Sequence, residues 1–396
     1  MSASWLPNNA NLLHFAAVAW WVAVALLLYV YAGYPLLLAA LALFSRRRRP
    51  EPGCLPTLSI LIAAHNEEAG IEKKLEQTLT LDYPPDKMEI LVLSDGSTDR
   101  TDAIVESFTD PRVRLVRVEP RLGKTHAQNF GARRARGEVL VFSDATTVYH
   151  PQALRYLACN YQEPRVGAVS GRYQYFDPEG DSPTGLGTVA FWNYENWIKT
   201  LQSRIQTISG CCGCIYSVRR SLYTELAPEI ISDLVQPLWV IQKGYRVVFE
   251  DRALAYEQTT QSTAEEFSMR VRVVTRGMRG LLSVPDLFQP WKRPWVCFQL
   301  VSHKVLRWLV PVFLFVLLAA STAQADRPFY FYAFLLQVAF YQAALLSVRF
   351  PLHRRWKLLG IPLYFCTLNA AALLSLIELL RGRKYAIWQP VRNKSR

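Results

Sequence analysis

The sequence predicts an α/β fold: a mostly parallel sheet flanked by helices, carried between apolar membrane segments. Three observations make that prediction. Leu58–Glu68 (LSILIAAHNEE), Ile90–Thr101 (ILVLSDGSTDRT) and Glu138–Thr147 (EVLVFSDATT) are short apolar runs that each end in polar, charge-bearing residues. Helical patterns lie between these runs. Stretches without charge occupy both ends of the chain.

Each apolar run is rich in Leu, Ile and Val and too short for a helix, so it reads as a strand buried on both faces. Asn66, Glu67, Asp95 and Asp144 then fall at the carboxyl ends of the strands, the edge where open α/β sheets bind ligands. An Asn-Glu pair and two Asp residues at that edge suit a polar ligand held with a metal ion. Ile71–Leu79 and Asp102–Phe108 carry helical apolar patterns, Val113–Val118 alternates as a further strand, and Thr125–Ala135 reads as a helix. Strand and helix in this alternation predict a parallel sheet with helices on both faces.

Met1 to Ser45 contains no Lys, Arg, Asp or Glu, and Arg46–Arg49 follows at once. A secretory leader carries its positive charge before the apolar stretch. Residues 1–45 therefore read as a membrane anchor whose Arg run keeps the next domain in the cytosol. The anchor is longer than one span needs, which predicts tilt or a break near Gly33–Pro35. Trp308–Ala325, Phe329–Val348 and Leu358–Ile377 are each about long enough to cross a bilayer. Ahead of them Leu287–Arg307 interleaves Trp291, Trp295 and Phe298 with Lys292, Arg293 and Lys304, as in a helix lying among headgroups.

The chain divides into an anchor (1–45), a cytosolic domain (46–284), an interfacial region (285–307), membrane segments (308–380) and a basic tail (381–396). The expected location is the inner (plasma) membrane of a bacterial-type cell. Three crossings after a cytosolic domain would leave the tail outside, whereas its charge favours the inside. One resolution is that a C-terminal run is re-entrant or surface-lying, and Pro362, Asn369 and Glu378 make the last run the weakest candidate for a plain span.

Lys and Arg total 45 against 32 Asp and Glu, a net charge of +13. Positive flanks of membrane helices and a basic cleft for an anionic substrate both account for it. No RNA- or DNA-binding signature is present, so nucleic acid is not an expected partner. The seven Cys lack a zinc-type spacing. Cys211, Cys212 and Cys214 read as small packing residues in a Gly-rich turn, and free thiols fit a cytosolic face.

In this order and spacing, A-x-N-E-E after the first strand, S-D-G-S-T-D-R-T after the second and S-D-A-T after a later one resemble the nucleotide-sugar half of family 2 glycosyltransferases. The resemblance covers roughly Pro56 to Leu282. The flanking segments resemble those of membrane-bound polysaccharide synthases such as those of hyaluronan, chitin and cellulose. The resemblance implies a GT-A fold, Rossmann-like, and inverting sugar transfer with a divalent metal, Mg2+ or Mn2+. It also implies that Ala63, His65, Asn66 and Glu67 line a nucleoside site, with Glu67 accepting from ribose hydroxyls. Asp95 would accept from the imide N–H of uracil, which favours a uridine donor. Lys124, in R-L-G-K, would face a phosphate or a ribose. Asp144 matches the first Asp of the family's D-x-D metal motif. The second position is Thr146, which offers a neutral oxygen and no charge.

By the same resemblance Ser209–Arg220 is the acceptor-side turn, represented by Gly210 and Cys211, where Gly210 and Gly213 permit close backbone approach. Asp233 stands where the family places its catalytic base, with Ser232 in place of the usual Glu and as a helix cap. Processive synthases carry Q-x-x-R-W where this chain has Met269–Val273, so only Arg272 is kept. Arg272, helped by Arg270 or Arg276, would neutralise the leaving diphosphate. The missing Trp argues against processive polymerisation.

The expected function is transfer of a sugar from a nucleotide donor, a UDP-sugar, to a lipid-linked or polysaccharide acceptor in cell-envelope or exopolysaccharide synthesis. Membrane lipids and envelope-polysaccharide assembly proteins are the expected partners. Alternatives are a synthase that loads a sugar onto polyprenyl phosphate and a non-catalytic, nucleotide-binding assembly subunit. A transporter lacks support, because the membrane segments hold few buried charges.

Overall fold

A strand buried on both faces needs apolar side chains at every position, and β1 (Leu58–Ala64) is buried throughout. Its Ile60 and Ile62 join one core while Leu61 joins the other, as the alternation of a strand requires. The computed structural model describes residues 9–45, 50, 53, 55–176, 185–258, 262–350 and 360–387. Arg46–Arg49 and the tail beyond residue 387 lie outside the described residues.

β2 (Met88–Asp95), β3 (Val113–Val118) and β4 (Val139–Asp144) extend the sheet in parallel with β1. On one face lie α3 (Ile71–Leu79) and α6 (Ala153–Cys159), on the other α5 (Lys124–Arg134) and α8 (Ser232–Gln242). α4 (Thr101–Glu106) precedes β3. The helices α3, α4 and α5 and the strand β3 match the expected ones to within a residue or two at the ends.

The second half of the sheet departs from the parallel expectation. β5 (Val148–Tyr149), β6 (Val166–Phe176), β7 (Ile215–Arg219) and β8 (Arg246–Gln258) complete the order β3-β2-β1-β4-β7-β6-β8-β5. β7 is antiparallel to both β4 and β6, and β8 is parallel to β6. The reason is the turn at 209–214, which sits at the carboxyl edge beside Lys124. A strand that starts from that edge must run against β4. β8, two reversals on, again ends at the edge where β1, β2 and β4 end.

The N-terminal anchor is helical from α1 (Asn9–Leu28) to α2 (Tyr34–Leu43). No break occurs near Gly33–Pro35; a π-helical turn at Tyr29–Gly33 takes its place, with the Tyr34 N–H donating to the Tyr29 carbonyl. Pro35 has no N–H and its ring crowds the carbonyl of Tyr31, and a widened turn relieves that crowding. The Tyr31 carbonyl accepts instead from the Tyr194 hydroxyl at 3.0 Å. Tyr194 belongs to α7 (Gly185–Ile205), whose Gln202 also donates to the Tyr34 hydroxyl at 2.8 Å.

α9 (Thr263–Leu282) starts at Ser262, whose side chain accepts from the Ala264 N–H. The stretch expected to be interfacial forms α10 (Pro294–Leu300), a π turn and α11 (Leu306–Trp308), then bends by 54° into α12 (Val310–Ala323). α13 (Pro328–Arg349) and α14 (Gly360–Leu380) follow. Among the described residues three helices are long and apolar enough to cross a membrane, at Asn11–Leu43, Pro328–Arg349 and Gly360–Leu380. The bent pair would be a fourth if it acts as one span.

α14 is no isolated span. Ser375 donates to the Val271 carbonyl of α9 at 3.1 Å, and Arg270 donates to the Tyr364 hydroxyl at 3.0 Å. Past α14 the Arg383 carbonyl accepts from Arg279 at 2.9 Å, and Lys384 pairs with Glu229 at 2.8 Å. Residues 383–387 therefore pack against the α/β domain.

Candidate active site

The loops after β1 and β2 hold each other. Asn66 adopts φ 55°, a left-handed conformation that Asn tolerates better than most residues. From there its Oδ1 accepts from the Thr98 N–H at 2.8 Å. The Glu67 N–H donates to the Thr101 hydroxyl at 2.7 Å, and His65 Nδ1 lies 2.8 Å from the Asp95 carbonyl. Ala63 is buried near the end of β1, paired in register with Asp144 at the end of β4.

Asp95 has a task the sequence did not suggest. Its Oδ1 accepts from the Leu122 N–H at 3.1 Å and its Oδ2 from the Gly123 N–H at 2.9 Å. The carboxylate thus fixes the loop that presents Lys124, while each oxygen keeps a further lone pair. Gly123 has φ 98°, a conformation that favours glycine, and the Ala386 carbonyl fills the space where a Cβ would stand.

Lys124 forms an ion pair with Asp144 and lies 3.5 Å from the Gly213 carbonyl. Burial works against its charge, yet Asp144, with Asp233 beyond, outweighs that and holds the ammonium above the usual lysine range. Thr146 is exposed, and its hydroxyl donates to Glu257 Oε1 at 3.0 Å. The second Glu257 oxygen accepts from the Tyr173 hydroxyl. Burial, and next the Asp144 carboxylate, push the Glu257 carboxyl up from its ordinary value.

Beneath this group Lys74 of α3 donates to the Thr147 carbonyl at 2.6 Å and is pushed down to about 8 by burial. Neither Glu257 nor Lys74 was a candidate from sequence. A signal for Glu257 existed, since it closes an apolar strand as Asp95 and Asp144 do.

Asp233 lies in the first turn of α8, and the Cys211 N–H donates to its carbonyl at 2.8 Å. Ile231 is the N-cap and no side chain caps the helix, so Ser232 is not the expected cap. The Asp233 carboxylate lies against Gly213, where a Cβ would stand 2.6 Å from Oδ2. Gly213 is thus required at close range, whereas Gly210 has only Leu234 Cδ1 nearby, at 3.2 Å from a built Cβ. Asp233 Oδ1 has no hydrogen-bond partner among the described residues. Burial raises the Asp233 pKa, opposed by Lys124, Lys199 and Arg276. Cys211, Cys212 and Cys214 are buried free thiols, and Lys199 donates to Cys212 Sγ at 3.0 Å.

The three arginines of α9 separate. Arg270 pairs with Glu266 at 2.7 Å besides holding Tyr364. Arg276 donates to the Ile230 carbonyl at 2.7 Å and to the Thr125 hydroxyl at 2.9 Å. These two tie α9 to α14 and to the loop before α8. Arg272 makes no hydrogen bond or ion pair among the described residues.

The family model described as Glycosyl transferase family 2 matches residues 59–227. The chain carries a family 2 glycosyltransferase domain. It is 28% identical over 264 residues to Probable glycosyltransferase YdaM of Bacillus subtilis (strain 168), covering 62% of this chain and 61% of that protein. It is 25% identical over 261 residues to Poly-beta-1,6-N-acetyl-D-glucosamine synthase of Staphylococcus aureus (strain COL), covering 63% of this chain and 61% of that protein. The chain thus spans about three fifths of the length of these relatives.

The structure of the mannosyltransferase PcManGT from Pyrobaculum calidifontis, in complex with GDP-Man and Mn2+, superposes with a TM-score of 0.68 at 21% identity. It covers 92% of this chain and 100% of that one. The family 2 domain therefore has the GT-A fold, and the likeness in fold extends over the flanking helices.

The site also has to be compatible with a cation. Among the described residues no three His, Cys, Asp or Glu side chains gather as a protein cage. A magnesium-type ion needs fewer, since it keeps waters and substrate phosphates and takes one or two carboxylates. Asp144 and the Thr146 hydroxyl are hard oxygen donors at the sheet edge, which fits such an ion.

Proposed function

We propose that this chain is a membrane-bound, inverting glycosyltransferase of the bacterial inner membrane with its GT-A domain in the cytosol. It moves a sugar from a UDP-sugar to a lipid-linked or polysaccharide acceptor in cell-envelope synthesis. The observation that carries this reading is the meeting of two groups at Gly213: the unpartnered Asp233 carboxylate and the Lys124–Asp144 pair. One can remove a proton from an acceptor, and the other can hold a diphosphate beside it.

In this mechanism Asp233 accepts the proton of the acceptor hydroxyl as that oxygen attacks the anomeric carbon. The bond to the diphosphate breaks on the opposite face, so the configuration inverts. Lys124 and Arg272 stabilise the charge that develops on the leaving diphosphate. A divalent cation, Mg2+ or Mn2+, held at Asp144 and Thr146 would supply Lewis-acid neutralisation of the same charge. Asn66, Glu67 and His65 position the nucleoside, which keeps the anomeric carbon in line with Asp233. The polysaccharide-synthase relatives support a glycan acceptor.

Purified protein in detergent, offered a panel of labelled nucleotide sugars, tests this reading. A UDP-sugar should be consumed, and Asp233→Asn should lower turnover by roughly a hundredfold or more with donor affinity nearly unchanged. Chelation of divalent cations should abolish transfer. Short polyprenyl phosphates, used as acceptors beside glycans, separate the two acceptor classes. Neither transfer nor hydrolysis with any donor would leave a nucleotide-binding assembly subunit instead.

A further inference from the structure

The D-x-D position is incomplete because Thr146 carries no charge, and the fold brings in a carboxylate from elsewhere. Glu257 lies 111 residues away in sequence from Thr146, and its Oε1 accepts from the Thr146 hydroxyl at 3.0 Å. Topology accounts for the meeting. β8 runs in the same direction as β4, by way of two antiparallel pairings and one parallel one, so Glu257 ends its strand at the edge where Asp144 ends β4. β5 then pairs with β8 at Val148↔Tyr256, which draws the Asp144–Thr147 turn against Glu257. The carboxylate is aimed, with Tyr173 donating to one oxygen and Thr146 to the other. Tyr173 is itself 7% exposed, so this support is built into the core.

Neither of these donors carries a charge that would balance the carboxylate. Of the two lysines beside this turn, Lys124 pairs with Asp144, and Lys74 is turned to the Thr147 carbonyl beneath. Two hard anionic oxygen donors and a hydroxyl therefore converge at one turn, with one cationic side chain bonded to an acid there. Resting on the proposed cation at Asp144, we propose that Glu257 supplies the second carboxylate of that site, replacing the acid absent at Thr146. Thr146 holds the Glu257 oxygen by its hydroxyl.

Binding of Mn2+ to the purified full chain, read as loss of the free-ion signal by electron paramagnetic resonance, tests this without reference to activity. The titration is done with Mn2+ alone and with Mn2+ plus UDP. Glu257→Gln keeps an oxygen for the Thr146 hydroxyl and removes the charge. It should weaken Mn2+ binding at least tenfold, as Asp144→Asn should. Thr146→Asp placed in the Glu257→Gln chain returns a carboxylate and should recover most of the loss.

Thermal unfolding separates a ligand from a prop. Wild type should be stabilised by Mn2+ with UDP, and Glu257→Gln should lose that increment while keeping its midpoint without metal. Glu257→Asp, which keeps the charge on a shorter arm, serves if the Gln variant does not fold and should bind Mn2+ several-fold less tightly than wild type. Wild-type affinity in either folded Glu257 variant, with Asp144→Asn impaired, overturns the role of Glu257 and leaves the cation at Asp144. A wild-type chain that binds no Mn2+ even with UDP overturns both.

Discussion

Asp233 is a useful base only while ionised, and its surroundings set the pH at which that holds. Burial raises its pKa, and Lys124, Lys199 and Arg276 limit the rise. A carboxyl with a raised folded pKa is protonated as pH falls through that value, and the base is lost there. The acid limb of kcat/KM should therefore have unit slope and lie above the ordinary Asp value of about 3.9. Initial rates across a pH series check it; a limb at or below that value would mean that Asp233 is not the group titrating. Asp95 also has a part in the fold, since both its oxygens accept from the Leu122–Gly123 backbone.

Between elements, the contact that matters most to the site is that of α8 with α9. α8 carries Asp233, and α9 carries Arg272 and Arg276, so their separation fixes base and diphosphate partners relative to each other. They approach closely at Gly280, where a Cβ would collide with Val235 Cγ2. Gly280→Ala should force the helices apart at a cost of about 1–3 kcal/mol, lowering both the thermal midpoint and turnover. Gly70→Ala is the comparison, because nothing lies within 4 Å of its built Cβ. Equal behaviour of the two variants would show that the α8–α9 contact yields without strain.

Across the whole molecule, the α/β domain and the apolar helices form one structure laced by polar contacts. Trp20 donates to the Ser321 hydroxyl at 2.8 Å, Tyr29 and Ser302 hydroxyls lie 2.8 Å apart, and Arg307 and His303 both meet Glu195. The return of residues 383–387 to Glu229, Arg279 and Gly123 places the chain after α14 beside the proposed active site. A single Cys at Lys384, in a chain lacking other accessible Cys, should resist a membrane-impermeant reagent in intact cells and label after lysis. Labelling of intact cells would place this segment outside and contradict its packing on the domain.

The sequence by itself determined β1 to β4 and the edge that β1, β2 and β4 share, because buried parallel strands need unbroken apolar runs and polar residues can only follow them. It also marked the long apolar helices at Asn11–Leu43, Pro328–Arg349 and Gly360–Leu380, since long uncharged stretches admit few other uses. Tertiary structure decided what depends on meetings between distant segments. The reversal of β7 follows from the turn that delivers it, and Glu257 reaches Thr146 only because β8 and β5 pair. The π turn at Tyr29–Gly33 is tolerated because Tyr194 is there to satisfy the Tyr31 carbonyl. Which of Arg270, Arg272 and Arg276 stays available could not be read from a helix carrying all three, because their partners come from α9 itself, α14, α5 and the loop before α8.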